Sequence, residues 1–362
     1  MSSSRTRATF TPEEVATVVR RFELPLVRSA EELAIGSSRS PKLVLRTAAG
    51  DFLLKRRAED ASKEDRVRFT QAVQLELERR GVRVPRLVRT AGGGAPALRG
   101  DGQIYEVFEF VAGHPFDGSA TQARAAAGAL GALHAAMEGW VPPVPTPRGN
   151  YHAASSMDKL VDRARSTSVT LAARGNLRLD ERAFTEALQS VAQAYRVAGT
   201  RIDLGDAGFQ CINHADFHPG NAIFSKGGEL AALVDFDSAR MEDPILDFAN
   251  GLLQFGHVRH RGPDPGQWPV SIDETLAREW TMGYVAGNPR AAIGERAAAV
   301  PWLMVEAAIA ESIVALARGG RLGPVPGPRV IEYLRVRIDW LVVHSGRVSR
   351  LVSECAPPRH PS

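Results

Sequence analysis

The sequence predicts an α+β protein of two lobes, a small β-rich N-terminal lobe and a larger, mainly helical C-terminal lobe. Three observations carry this. Short apolar segments punctuated by turn residues fill the first 111 residues. After Gly113 the chain changes to long Ala-rich stretches with helical periodicity. A polar segment, 209–247, interrupts those helices with a second hairpin-like pattern. At 362 residues two subdomains are more natural than one core. The expected division is 1–111, 112–352 and a flexible tail, 353–362.

Taken in order, Thr11-Pro12-Glu13-Glu14 opens a helix, with Thr as N-cap, Pro at the first position and acids at the positive end of the dipole. Lys42–Thr47 and Asp51–Arg56 read as strands joined through Ala48-Ala49-Gly50. Ser62 is the expected N-cap of the next helix, whose stripe is Phe69, Ala72, Val73 and Leu77, and Gly81 ends it. Arg86–Thr90 and Gln103–Val111 are further strand candidates. Leu130, Leu133, His134 and Met137 share one face of a helix that stops before a Pro-rich loop at 141–147. Two helices follow across 157–199, and three more over about 272–286, 301–318 and 329–343.

Composition narrows the function classes. The hydrophobic (44%) and charged (24%) fractions are those of a soluble globular protein. A net charge of +4, with no basic stripe, gives no support to a nucleic-acid partner. Cys211 and Cys355 form no spaced motif, which fits a reducing cytoplasm. The start, MSSSRTRATF, lacks the apolar core of a secretory signal. The apolar run 302–317 contains Glu306 and Glu311 and reads as too short and too acidic to span a bilayer. A cytoplasmic location without a membrane partner is expected, and nothing indicates an oligomeric state. Only five of the 45 basic residues are lysines, so each lysine in a chemical context carries extra weight.

The densest chemistry lies in HADFHPGN, 214–221. His214, Asp216 and His218 have a spacing that permits a transition-metal cluster, as in a metallohydrolase, with His257 and His260 as further candidates. Capping of turns by Asp and Asn is the plainer alternative. The strand-like segment after Asn221 turns at Gly227-Gly228 and returns as ELAALVDFD, which puts Asn221 roughly opposite Asp235. An amide oxygen and a carboxylate at one open end suit a hard cation such as Mg²⁺. Asp216, five residues before the Asn, is placed to take a proton from a hydroxyl, and phosphoryl transfer needs these parts together. Lys55 alternates with Leu54 and Arg56, so it faces inward while they face outward.

These residues resemble the aminoglycoside phosphotransferase / choline kinase-like family, relatives of the protein kinases. The resemblance runs over nearly the whole chain, through Lys55, GVRVP, YEVFEFVAG, LGALH, HADFHPGN, VDFDSA and DPILDFAN. It implies a protein kinase-like two-lobe fold and an ATP- and Mg²⁺-dependent transfer of phosphate to a hydroxyl of a small molecule. It also implies Asp216 as catalytic base, Asn221 and Asp235 as metal ligands, and Lys55 as the phosphate-binding lysine. Glu109, Phe110 and Val111 fall on the adenine-contacting hinge. Asp247 matches an acid that braces the catalytic loop, and His214 matches a loop-organising histidine. His218 is read as structural support, and Asp237 as reaching the metal or capping a turn.

The sequence departs from the family pattern in three places. Ala215 stands where glycine is common. The slot for the lysine-pairing glutamate falls near Gln71, with Glu64 and Glu76 less well placed. The expected phosphate-covering loop, Ala34–Ser40, has a single glycine. The last two departures motivate the alternative of a catalytically weak, kinase-like nucleotide-binding protein. Glu274, Glu279, Glu306 and Glu311 are the acids available to a cationic substrate, but the surrounding composition is Arg-rich. A non-aminoglycoside acceptor is therefore expected, with Glu306 and Glu311 neutralising buried arginines.

Overall fold

The computed structural model describes residues 8–34, 39–57, 64–100, 102–147, 149–175, 178–205, 210–257, 262 and 264–356. Two compact units emerge, each built from more than one stretch of chain. The first comprises 1–115, 139–147 and 220–241, and the second 116–138, 148–219 and 242–362. The sequence suggested contiguous lobes, and the reason for the difference is local bonding. Phe224 and His114 exchange backbone hydrogen bonds at 2.9 and 2.8 Å, and the Leu233 amide donates to the Arg83 carbonyl at 2.9 Å. These bonds tie the late hairpin into the first unit.

In the first unit, α1 (Pro12–Arg21) begins with the expected cap. Thr11 Oγ1 accepts from the Glu14 amide at 3.2 Å, and the Glu14 carboxylate accepts from the Thr11 amide at 2.7 Å. Behind it lies a five-stranded antiparallel sheet of β1 (Val27–Glu32), β2 (Lys42–Thr47), β3 (Gly50–Arg56), β4 (Leu98–Gly100) and β5 (Gln103–Glu109), in the order β1-β2-β3-β5-β4. The β2–β3 hairpin is the one the sequence predicts. Two strands escape the pattern: β1 is exposed along most of its length and shows no alternation, and β4 has only three residues. Conversely, 86–90 contributes a single bridge, Leu87 with Phe108, and β5 ends at Glu109, two residues short of the expected strand.

One sheet face packs Leu45, Leu54, Tyr105 and Val107 under Val18 and Phe22 of α1. Leu54 is therefore fully buried rather than outward-facing, since both faces of the sheet are covered. Val67 of α2 (Glu64–Arg79) clusters with Ile104 of β5. Gly81, at φ +76°, follows the end of α2 as expected. Ser62 and residues 35–38 of the anticipated phosphate-covering loop lie outside the described residues. The late hairpin consists of β7 (Ala222–Phe224) and β8 (Leu230–Leu233), preceded in the chain by β6 (Cys211–Asn213) of the second unit; Phe209, the expected strand start, is likewise undescribed.

The second unit is helical: α3 (Ala120–Ala136), α4 (Met157–Arg174), α5 (Glu181–Gly199), α6 (Pro244–Phe255), α7 (Glu274–Gly287), α8 (Val300–Gly319), α9 (Gly327–Val343) and α10 (Ser345–Cys355). The sequence misses α6, although Asp243-Pro244 is a good helix start and Asp243 Oδ1 accepts from the Ile245 amide. Helix α10 takes up the first residues of the expected tail, and 357–362 lie outside the described residues. Helix α8 extends the apolar run to 20 residues, which by length and composition alone is enough to cross a membrane. However, 72% of its apolar stretch is buried, packed against α4, α5, α6 and α9. Helices α3 and α7 approach through glycines. A Cβ on Gly131 would lie 2.4 Å from the Tyr284 carbonyl oxygen, and one on Gly287 2.1 Å from that of Gly128.

Candidate functional site

In the first unit the sequence-distant residues Lys55, Asp235 and Asp237 meet. Lys55 Nζ, on β3, lies 2.9 Å from Asp235 Oδ1 and 2.7 Å from Asp237 Oδ2. The lysine is buried, and both carboxylates remain partly exposed. Burial alone would lower the lysine's pKa, but the two carboxylates outweigh it and hold it well above the usual range. Asp237 is likewise pushed up by burial and pulled below its ordinary value by Lys55 and Arg57. Asp235 has a left-handed backbone, φ +68°, that turns the chain out of β8 into the short turn 236–238 carrying Asp237. This bend delivers both carboxylates to one ammonium.

The hairpin register differs by one residue from expectation. Ala222 pairs with Leu233, and a bulge follows Ile223. Asn221 therefore faces Val234, whose amide donates to the Asn221 carbonyl at 3.0 Å. The amide-bearing residue still stands at the open end, beside the residue that precedes Asp235. The oxygen-only set of Asn221, Asp235 and Asp237 fits a hard divalent cation.

Two further cations were not singled out by sequence. Lys42 lies directly across from Lys55 in the β2–β3 register, and its Nζ is 3.4 Å from Asp235 Oδ2. Arg57, also buried, sits 2.8 Å from Glu106 Oε2 and 3.2 Å from Asp237 Oδ1. The scarcity of lysines was the signal that points to Lys42. Arg57 has no such marker among 40 arginines.

Gln71 does not serve Lys55. Its Nε2 donates to Glu106 Oε1 at 2.7 Å, on the buried carboxylate that also holds Arg57. Glu76 pairs with Arg79 and Arg80, and Glu64 stands 4.0 Å from Arg99. Glu106 lies across from Lys55 in the β3–β5 register and adds to the field that keeps the lysine charged. The counter-charge thus comes chiefly from Asp235 and Asp237, with Glu106 of the sheet adding to it, and not from α2.

At the hinge, the Glu109 amide donates to the Arg86 carbonyl and the Phe110 amide to Asp51. The Glu109 carboxylate pairs with the Arg86 guanidinium, and Arg46 stacks over the Phe110 ring at 5.4 Å. Among the described residues, Val111 is the hinge position whose amide is not engaged in this way.

In the second unit, Asp216 is exposed, with 53% of its side chain accessible, and its Oδ1 is 4.0 Å from His218 Nε2. Its loop is fixed from beneath. Asp247 of α6 accepts from the His214 amide at 2.6 Å and the Ala215 amide at 2.8 Å. Asp247 is in turn 3.3 Å from His134 Nε2, and His134 Nδ1 is 2.7 Å from the Tyr284 hydroxyl. The α3–α7 glycine contact makes that last bond possible, so His134 is a satisfied core histidine that also braces the loop. His214 is completely buried, its ring 5.5 Å from Phe217, and does not join exposed groups in an HxDxH cluster. Among the described residues no three His, Cys, Asp or Glu side chains converge to hold a metal ion.

The four candidate acids separate. Glu274 pairs with Arg347, Glu279 with Arg124, and the buried Glu306 with His152 Nδ1 at 2.7 Å and the Ala153 amide at 3.2 Å. Glu306 is therefore matched by a histidine and a backbone amide, not by a buried arginine. Glu311 lines a cavity of about 420 Å³, together with His218.

The profile of the phosphotransferase enzyme family matches residues 29–282 of the chain. Among solved structures, an aminoglycoside phosphotransferase from Alicyclobacillus acidocaldarius is similar at 18% identity and a TM-score of 0.61, over 97% of this chain and 99% of that one. A microcompartment-associated aminopropanol kinase has 14% identity and a TM-score of 0.64, over 92% and 98%. Amicoumacin kinase hAmiN, solved with AMP-PNP and Ca²⁺, has 12% identity and a TM-score of 0.64, over 94% and 96%. A comparison with curated protein sequences finds no match. The α+β, protein kinase-like fold is thus the one the sequence predicts.

Proposed function

Since the chain belongs to the phosphotransferase enzyme family, we propose that it is a small-molecule kinase transferring the γ-phosphoryl group of ATP to a hydroxyl, with Mg²⁺ as cofactor. The observation that carries this reading is the convergence of Asp235 and Asp237 on the buried Lys55. An ammonium held charged between two partly exposed carboxylates matches what a metal-bound polyphosphate requires: a fixed positive charge beside anionic oxygen ligands. Nucleotide- and metal-bound relatives such as amicoumacin kinase support it.

In this reading Asn221, Asp235 and Asp237 hold Mg²⁺, which neutralises phosphate charge when bound. Lys55, with Lys42 beside it, orients the phosphates. Val111 offers its backbone amide to the adenine. Asp216 accepts the proton of the acceptor hydroxyl as the new oxygen–phosphorus bond forms and the bond to the β-phosphate oxygen breaks, releasing ADP. Asp247 and His134 keep the Asp216 loop in shape.

The test compares wild type with Asp216→Asn for ATP-dependent phosphorylation of a panel of small alcohols. The variant is expected to lose activity by about 10²–10⁴-fold. Full activity in the variant would remove Asp216 from the mechanism. One observation favours a second reading, a nucleotide-binding protein with little transfer: Gln71 is engaged by Glu106, so no α2 glutamate balances Lys55. A thermal shift with ATP and Mg²⁺ without phosphate transfer to any alcohol would favour it.

A further inference from the structure

The cavity of about 420 Å³ in the second unit is small for a ligand site, which commonly runs from about 300 to 1,000 Å³. Trp268 and Tyr333 form an aromatic wall, their rings 5.1 Å apart and edge to face. His218, which also lines the cavity, lies beside Asp216. Two opposite charges share this space, Glu311 of α8 and Arg337 of α9.

Neither charge is paired with the other or with any other ionised side chain within 4 Å among the described residues. Glu311 is held by neutral donors: Gln254 Nε2 donates to it at 2.6 Å, and the Asn250 side chain also bonds to it. Arg337 is held by neutral acceptors, Nη1 to the Tyr333 hydroxyl at 3.0 Å and Nη2 to the Leu253 carbonyl at 2.9 Å, and its buried Nε has no partner. Held charges in a concave pocket are costly unless something of opposite sign completes them. The crowded walls and the nearby Asp216 push the Glu311 carboxyl up to about 7, against the opposing pull of the Arg337 charge and the Asn250 and Gln254 donors, while the residue as a whole remains exposed. A bound cation would restore its ionised form.

The other candidate acids are already engaged by partners elsewhere, so the cavity offers one negative and one positive group, not a cluster for a polycation. We infer that the acceptor is a small zwitterionic alcohol, whose ammonium group meets Glu311 and whose carboxylate meets Arg337. The identity of the hydroxyl as the reacting group rests on the kinase reading above, but the charge matching does not.

The test uses the full chain and a matched set: L-serine, which carries both charges, ethanolamine without the carboxylate, 3-hydroxypropionate without the ammonium, and 1-propanol with neither. The same set is extended by one to three methylenes. Binding is measured by calorimetry without nucleotide, and phosphate transfer is measured separately with ATP and Mg²⁺. At the best chain length, the zwitterion is expected to bind at least about tenfold tighter than either singly charged analogue. Glu311→Gln should erase the advantage of the ammonium only, and Arg337→Met that of the carboxylate only. Equal binding across the set, tightest binding by a singly charged member or by a diamino alcohol, or no binding at 10-mM order concentrations would overturn the inference. Transfer without zwitterion preference would sink the inference and keep the kinase reading. Zwitterion binding without transfer to any member would do the reverse.

Discussion

Ala215 occupies a backbone conformation, φ +61°, that suits glycine, and it stands in the loop that carries Asp216. By residue type alone, an alanine where the family commonly has glycine is a small change. The structure gives it a cost, because a Cβ in the left-handed region crowds the backbone. The two bonds from Asp247 to the His214 and Ala215 amides help hold the strained turn. Ala215→Gly is expected to raise stability on the order of 1 kcal/mol, read by urea denaturation. Glu311 gives a second residue-scale prediction. Its folded pKa lies at about 7 against an ordinary 4.5, so the folded protein keeps a proton that the unfolded chain has released. Stability from this group therefore falls as pH rises from about 4.5 to about 7 and is level above that. Glu311→Gln removes the effect, so its stability advantage over wild type should be larger at pH 8 than at pH 5 in matched denaturation curves.

At the scale of elements, the β2–β3 hairpin and the long helices were legible because their signals are local. Turn glycines, caps and apolar spacing act within a few residues. The signals that failed were weak or masked by chemistry. Strand β1 has no alternation, β4 is too short to show any, and α6 begins inside a segment whose polar residues drew attention to the site. The hairpin register shifted by one because a bulge is a property of pairing, not of either strand alone. The α3–α7 contact is likewise invisible in a single helix: Gly131 matters through the Tyr284 backbone it touches. Gly131→Ala should force the helices apart, costing about 1–3 kcal/mol and loosening the His134–Asp247 brace. Hydrogen exchange at the His214 and Ala215 amides is expected to accelerate in that variant. Unchanged exchange would separate the helix contact from the loop.

For the whole molecule, the two units contribute different parts of the proposed chemistry. Lys55, Asn221, Asp235 and Asp237 belong to the first unit and Asp216 to the second, and the chain passes from one to the other between Pro219 and Gly220. Binding of ATP with Mg²⁺ is expected to stabilise the folded chain by about 2.7 kcal/mol at a hundredfold excess over Kd, by mass action alone. Chelation by EDTA should reverse the thermal shift, and Asp235→Asn should shrink it. A shift of equal size in the presence of EDTA would remove the metal from nucleotide binding.

The sequence by itself determined the fold class and the order of the main elements, and it singled out the candidate chemical parts, Lys55, Asp216, Asn221 and Asp235. These depend on residue type and short-range spacing, which a linear chain displays directly. Only the tertiary structure decided which charges meet. It gave Lys55 the carboxylates of Asp235 and Asp237, turned Gln71 to Glu106, and brought in Lys42 and Arg57. It also matched three of the four candidate acids to basic partners and left Glu311 and Arg337 in one cavity. Ion pairing depends on distances of a few ångströms between residues that can be 180 positions apart. Such distances are set by strand register and helix packing, which no local pattern specifies.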